Sequence, residues 1–180
     1  MINELTTSPK PQNKSARNVC LGCFAAFVAV AVLYTYVDKY KGIVGLFAIG
    51  ILTAGIFIYT KYISSKYYYD ITYDSDGTPI LVIRQLMGRR YTTLLRTSLS
   101  EIREVVRESR EESAKKKVDS RTAIYRYTPT LIPDFTYRLT VKNYHEQYDV
   151  IIEGNDEFAD LLRSYSDEAR ARENSENDEY

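Results

Sequence analysis

Residues 19–37 read VCLGCFAAFVAVAVLYTYV and residues 43–60 read IVGLFAIGILTAGIFIYT, with only DKYKG (38–42) between them. Neither run contains Asp, Glu, Lys or Arg. As a helix each run is ~28 Å long, close to the ~30 Å hydrocarbon core of a bilayer. A soluble domain rarely carries two such runs so close together. The spacing predicts a transmembrane α-hairpin over 18–62, with helices at about 19–37 and 43–60, and everything after it hangs from the membrane.

The flanks agree with this reading. Residues 1–17 (MINELTTSPKPQNKSAR) are polar and hold two prolines and no apolar period, so they are expected to be a disordered cytoplasmic lead. A cleaved signal peptide is a poor match. The first apolar run is too long, no A-x-A site follows it, and a second run comes at once. Basic residues near the helix ends set orientation. Lys10, Lys14 and Arg17 precede the hairpin and Lys61 and Lys66 follow it, whereas the loop has only Lys39 and Lys41 beside Asp38. That bias puts both termini in the cytoplasm and the chain in the cell membrane as a multi-pass protein.

Within the arms, Gly22/Ala26, Ala25/Ala29 and Gly50/Ala54 have the small-xxx-small spacing of close helix contacts, either inside the hairpin or between chains. No Asp, Glu, Lys, Arg or His lies in either arm, which argues against a transporter or proton path. Cys20 and Cys23 are the only cysteines and form C-x-x-C. Zinc needs four donors, and no second pair exists to supply them. They read as small apolar residues near the membrane surface, with S-acylation as the alternative.

From Tyr67 the pattern changes to short strands. KYYYDITY (66–73), TPILVIRQLM (78–87) and YTTLLRTSL (91–99) are separated by Asp74–Gly77 and by Gly88–Arg90, a strand–turn–strand meander. SEIREVVRESR (100–110) fits a helix or a strand, and we favour a strand ending near Arg107. The charged run 110–121 is expected to be an exposed loop or frayed helix. TAIYRYTP, TYRLTVK and YDVIIE return to strand character. Residues 156–172 then place Phe158, Leu161, Leu162, Tyr165 and Ala169 on one helical face, capped by Asn155 or Asp156. ENSENDEY (173–180) is expected to be an acidic disordered tail.

Taken together, YYYDITYDSDGTPILVIRQ, the following RRYTTLLRTSLSEIREV and the closing YRLTVKNYHEQYDVIIEGNDEFADLL carry a resemblance. Over roughly residues 19–170 the chain resembles bacterial membrane proteins in which a pleckstrin-homology-like (PH-like) domain follows a two-helix hairpin. The charged insertion 110–121 and the Pro129–Pro133 segment depart from a compact version of that domain. The resemblance implies an α+β membrane protein. Its PH-like β domain (66–172) is mainly antiparallel and ends in an amphipathic helix. It implies binding rather than a reaction.

No enzyme signature competes. HEQYD (145–149) is one residue short of H-E-x-x-H and falls at a strand turn, and no phosphate-cradling or nucleophile-elbow motif is present. No catalytic residue, metal site or cofactor is expected, and a net charge of +0 gives no reason to expect nucleic acid. The candidate binding residues are Arg84, Arg89, Arg90 and Arg96, in a stretch (77–100) without an acid. PH-like domains often meet anionic headgroups with basic residues near their first hairpin turns. The expected partners are therefore the bilayer itself, anionic lipid headgroups or an unknown protein. The chain reads as a membrane-anchored, non-catalytic binding or scaffold protein. The alternative is a small assembly or regulatory subunit that docks on a larger membrane complex through its hairpin.

Overall fold

The computed structural model describes residues 5–10, 13–115, 122–143 and 146–177. They form an α+β chain of two compact units, a helical unit that runs to Ser65 and takes in Thr130–Ile132, and a β unit holding most of the rest.

In the helical unit, α1 spans Lys14–Tyr36 and α2 spans Lys41–Ile58, continuing through a π-helical turn at Tyr59–Ile63. Each helix is long and apolar enough to cross a membrane, and no part of its most apolar window is buried in the protein. The first helix starts at Lys14, inside the lead that was expected to be disordered, because no proline or glycine follows Pro11 to stop it. The loop shrinks to Val37–Tyr40, with Asp38 and Lys41 paired at 2.6 Å.

Among the less exposed residues, α1 lines up Ala16, Cys20, Cys23, Phe27 and Val30 and α2 lines up Val44, Ala48, Ile51, Gly55 and Ile58, with Ser15 and Gly45 beside them. Both sets alternate steps of four and three, the repeat of two helices packed side by side with a shallow crossing. Their tightest point is Gly55, where an added Cβ would lie 3.3 Å from Cys23 Cβ. Gly22 and Gly50 have nothing within 4 Å of such a Cβ, so the Gly22/Ala26 and Gly50/Ala54 pairs lie off the hairpin seam.

The β unit has two sheets. Strands β1 (Leu5–Thr7), β2 (Ser65–Tyr73), β3 (Pro79–Met87) and β4 (Arg90–Ser98) form the first, in that order. The second is ordered β5 (Ile102–Ser109), β7 (Phe135–Lys142), β8 (Gln147–Ile152) and β6 (Ala123–Tyr127). β1 with β2, β3 with β4, β5 with β7 and β7 with β8 pair antiparallel, and β6 with β8 pairs parallel. One core joins both sheets: Tyr69, Ile71, Leu81 and Ile83 on one side, Val105, Leu139, Val150 and Ile152 on the other.

Strand β1 and the C-terminal end of α4 differ from the sequence expectation, whereas the 100–110 strand and the short helix after it agree with the favoured reading. Strand β1 comes from the polar lead and pairs Leu5 with Ile71, while Thr6 Oγ1 donates to Asp70 Oδ1 at 2.7 Å. The 100–110 stretch is strand β5, which ends at Ser109. There Ser109 N–H donates to Glu112 Oε2 at 2.8 Å and Glu112 N–H to Ser109 Oγ at 3.3 Å, a reciprocal cap that starts α3 (Arg110–Lys115). Finally, α4 runs from Asp156 to Asn177, five residues past Arg172. Pairs such as Glu168–Arg172 and the lack of Gly or Pro let it continue into the acidic segment that was expected to be disordered.

Asn155 Oδ1 caps α4 by accepting from Phe158 N–H at 3.1 Å. The helix buries Phe158, Ala159, Leu162, Ser166 and Ala169, whereas Leu161 and Tyr165 are only half-buried, so its buried face is rotated toward Leu162. Leu162→Ala should therefore cost ~2–5 kcal/mol and Leu161→Ala clearly less. Urea melts of the two variants should separate them in that order, and equal losses would contradict the placement.

Candidate functional site

The β3–β4 hairpin turns at Gly88–Arg89, with Met87 paired to Arg90. Gly88 has φ +62° and no non-glycine residue among those described has positive φ, so Gly88 alone supplies the left-handed step. That is the geometry of a II′ turn, whose twist matches its flanking strands and which calls for glycine at its first central position. The turn therefore holds Arg89 and Arg90 at the end of a regular two-stranded arm.

The four candidate arginines do not form one cluster. Arg84 Nε donates to Asp70 Oδ2 at 2.6 Å, and its guanidinium lies 5.6 Å from the Tyr91 ring centroid. Asp70 is buried and shared with Thr6. The bond to Asp70 raises the Arg84 pKa further above its ordinary value. Arg96 pairs with Asp74 in the β2–β3 turn. Asp74 titrates below the usual carboxylate range because it accepts the Ser75 N–H and, secondarily, faces Arg96.

Arg89 and Arg90 differ from these two. Both are exposed, and neither pairs with an acid among the described residues. Beside them Met87 is 47 % and Tyr91 58 % exposed. The tip thus combines two available guanidiniums with two large, partly apolar side chains. Met87 and Tyr91 were not among the sequence candidates; their signal was two large side chains immediately flanking a glycine turn.

A second charged group is structural. Arg138 of β7 donates from Nε and Nη2 to Glu108 at 2.7 and 2.8 Å and from Nη1 to Asp149 at 2.7 Å. Thr140 Oγ1 also donates to Asp149, at 3.2 Å. Arg138 and Glu108 are buried, and the Glu108 hydrogen bond raises the Arg138 pKa. Every strong donor of this arginine faces a carboxylate, so the group binds β5, β7 and β8 together and offers nothing to a ligand.

Among the described residues no three His, Cys, Asp or Glu side chains are grouped to hold a metal ion. His145 lies outside the described residues. Cys20 and Cys23 are free thiols on α1. No protein-family model matches the chain, and no curated protein is significantly similar to it.

The arginines can be sorted by stability. Arg84→Gln removes the charge that faces a buried carboxylate and should destabilise by ~1–3 kcal/mol. Arg89→Gln and Arg90→Gln should stay within ~0.5 kcal/mol of the parent, as exposed substitutions do. Denaturant midpoints measure both; a loss at Arg89 as large as at Arg84 would contradict the division.

Proposed function

We propose that the chain is a two-span membrane protein that holds a PH-like β domain at the membrane as a non-catalytic binding module, with the β3–β4 tip contacting anionic lipid headgroups. The observation that carries the contact is the pair Arg89 and Arg90, exposed, without an acid partner among the described residues, and flanked by Met87 and Tyr91. Guanidiniums meet phosphate in a bidentate fashion, and a partly apolar neighbour suits the headgroup boundary. Close to an anionic leaflet each such cation contributes ~1 kcal/mol.

Support for the anchor is the apolar outer surface of α1 and α2, including Phe24, Leu46, Phe47 and Phe57, each more than half exposed. Support for a PH-like reading is the order of elements: a meander β2–β3–β4, a second strand group and a closing helix packed on the shared core. The added β1 and the parallel β6–β8 pair are departures from a plain antiparallel version. For orientation, Lys14, Arg17 and Lys61 lie toward one end of the helical pair, while Lys39 and Lys41 lie at the other. This bias favours both termini on the cytoplasmic side.

A second reading has its own observation. Gly22/Ala26 and Gly50/Ala54 lie off the hairpin seam, where they suit close packing against helices of a larger membrane complex. Replacing the hairpin with an unrelated one separates the two readings: a binding module keeps its function, whereas a hairpin-docking subunit loses it.

The tip is tested with residues 5–10 joined by a flexible linker to residues 64–177, so that strand β1 is kept, folding first checked by near-ultraviolet circular dichroism, on vesicles of rising anionic content at low salt. Binding should rise with anionic lipid, fall as salt screens it, and drop by at least about fivefold in the Arg89→Gln/Arg90→Gln double variant. Equal binding to neutral and anionic vesicles would contradict the proposal and favour a protein partner.

A further inference from the structure

Two cavities adjoin along one side of the helical pair. The first, about 200 Å³, has the less exposed Cys20, Cys23 and Gly55 as its floor and the exposed Phe24, Leu52 and Ile56 at its rim. The second, about 490 Å³, is bounded by Lys14, Arg17 and Asn18 at the start of α1 and by Ile63 at the end of the π turn. Cys20, Phe24 and Tyr59 line both, so the two form one groove. Small side chains bring the helices together at Gly55, and the larger ones beside them leave the crevice.

The groove changes character along its length. Its inner part is lined by apolar side chains except for two thiols and the Tyr59 ring. Its mouth presents two cations, an amide and the Tyr59 hydroxyl. No Asp or Glu lines either cavity, and neither Lys14 nor Arg17 pairs with an acid among the described residues. An occupant must therefore be apolar over most of its length and anionic at one end, the chemistry of a single phospholipid. A partner helix would match the apolar part but leave both cations without a counter-charge.

We propose that this groove binds one anionic phospholipid, with an acyl chain along Phe24, Phe27 and Ile56 and the phosphate at Lys14 and Arg17. The site is separate from the β3–β4 tip, and it rests on the proposal that α1 and α2 lie in a bilayer. A lipid held here would fill the crevice on one side of the seam and tie the start of α1 to the end of α2. The hairpin would then select anionic membranes by a built site rather than by surface charge alone.

The chain has no tryptophan, so a single introduced one reports its own surroundings. The full chain carrying Phe24→Trp is placed in phosphatidylcholine bilayers, and its fluorescence is quenched with dibrominated phosphatidylglycerol or dibrominated phosphatidylcholine. Ile49→Trp, exposed, outside both cavities and far along α2 from Lys41 and Lys61, reports ordinary surrounding lipid. Ile56→Trp on the opposite rim repeats the measurement if Phe24→Trp folds poorly. The groove reporter should favour the brominated anionic lipid by roughly fivefold or more, the ratio that one such contact supports. The Ile49→Trp reporter should show a ratio near one. Lys14→Gln/Arg17→Gln should abolish the preference, and Lys14→Arg/Arg17→Lys should retain it. Equal ratios at both reporters would overturn the site, as would quenching at Ile49→Trp with none in the groove, which would mean that a protein segment fills it. No quenching at either position would overturn the membrane reading itself.

Discussion

Thirteen Val, Leu, Ile and Phe side chains on α1 and α2 are exposed, because the seam between the helices uses only one side of each. Fully burying such a side chain is worth ~1.5–3 kcal/mol, and these are 40–70 % exposed, so together they forgo about 10–20 kcal/mol. A domain of this size is stable by only ~5–15 kcal/mol. An apolar surrounding is needed to offset that difference, and the proposed bilayer supplies one. It also accounts for the secondary structure, since a helix satisfies its backbone polar groups internally where water is absent. The groove and the orientation argument both depend on this one requirement.

The β unit has a different logic. Its core is contributed by both sheets and α4, and three of its arginines are held by carboxylates: Arg138 by Glu108 and Asp149, Arg84 by Asp70, Arg96 by Asp74. Arg89 and Arg90, which have no acid partner among the described residues, differ from these in sitting side by side at the β3–β4 tip, a surface feature that the fold itself does not require. A tip held near a membrane by an anchor can be useful at low intrinsic affinity, because tethering raises its effective concentration.

How much of this could be read in the sequence depended on how local the signal was. The two long apolar helices follow from uninterrupted runs, the β3–β4 turn from Gly88, and α4 from its period and the Asn155 cap. Strand β1 was not legible: Leu5–Thr7 is short and polar-flanked, and what orders it is pairing with Ile71 and Asp70, more than sixty positions away. The arginine stretch misled for the same reason. Residues 77–100 hold no acid, but strand pairing and the β2–β3 turn bring Asp70 and Asp74 beside Arg84 and Arg96. The small-residue pairs were visible, yet which of them met the partner helix depended on its rotation, and the contact fell on Gly55. The Ser109–Glu112 cap was in the sequence as S-x-x-E, hidden inside a run that read as solvated charge.

The central claim is that α1 and α2 cross the membrane as a hairpin, with both chain ends on the cytoplasmic side. It is tested most directly by single cysteines in a Cys20→Ala/Cys23→Ala background, labelled in intact cells with a membrane-impermeant maleimide. A cysteine at Tyr40, in the loop between the helices, should react from outside, and one at Ser175, in the last turns of α4, only after permeabilisation. Labelling of Ser175→Cys but not Tyr40→Cys in intact cells would reverse the orientation. Equal protection of both, with the chain released from membranes by alkaline carbonate, would contradict the spanning hairpin altogether.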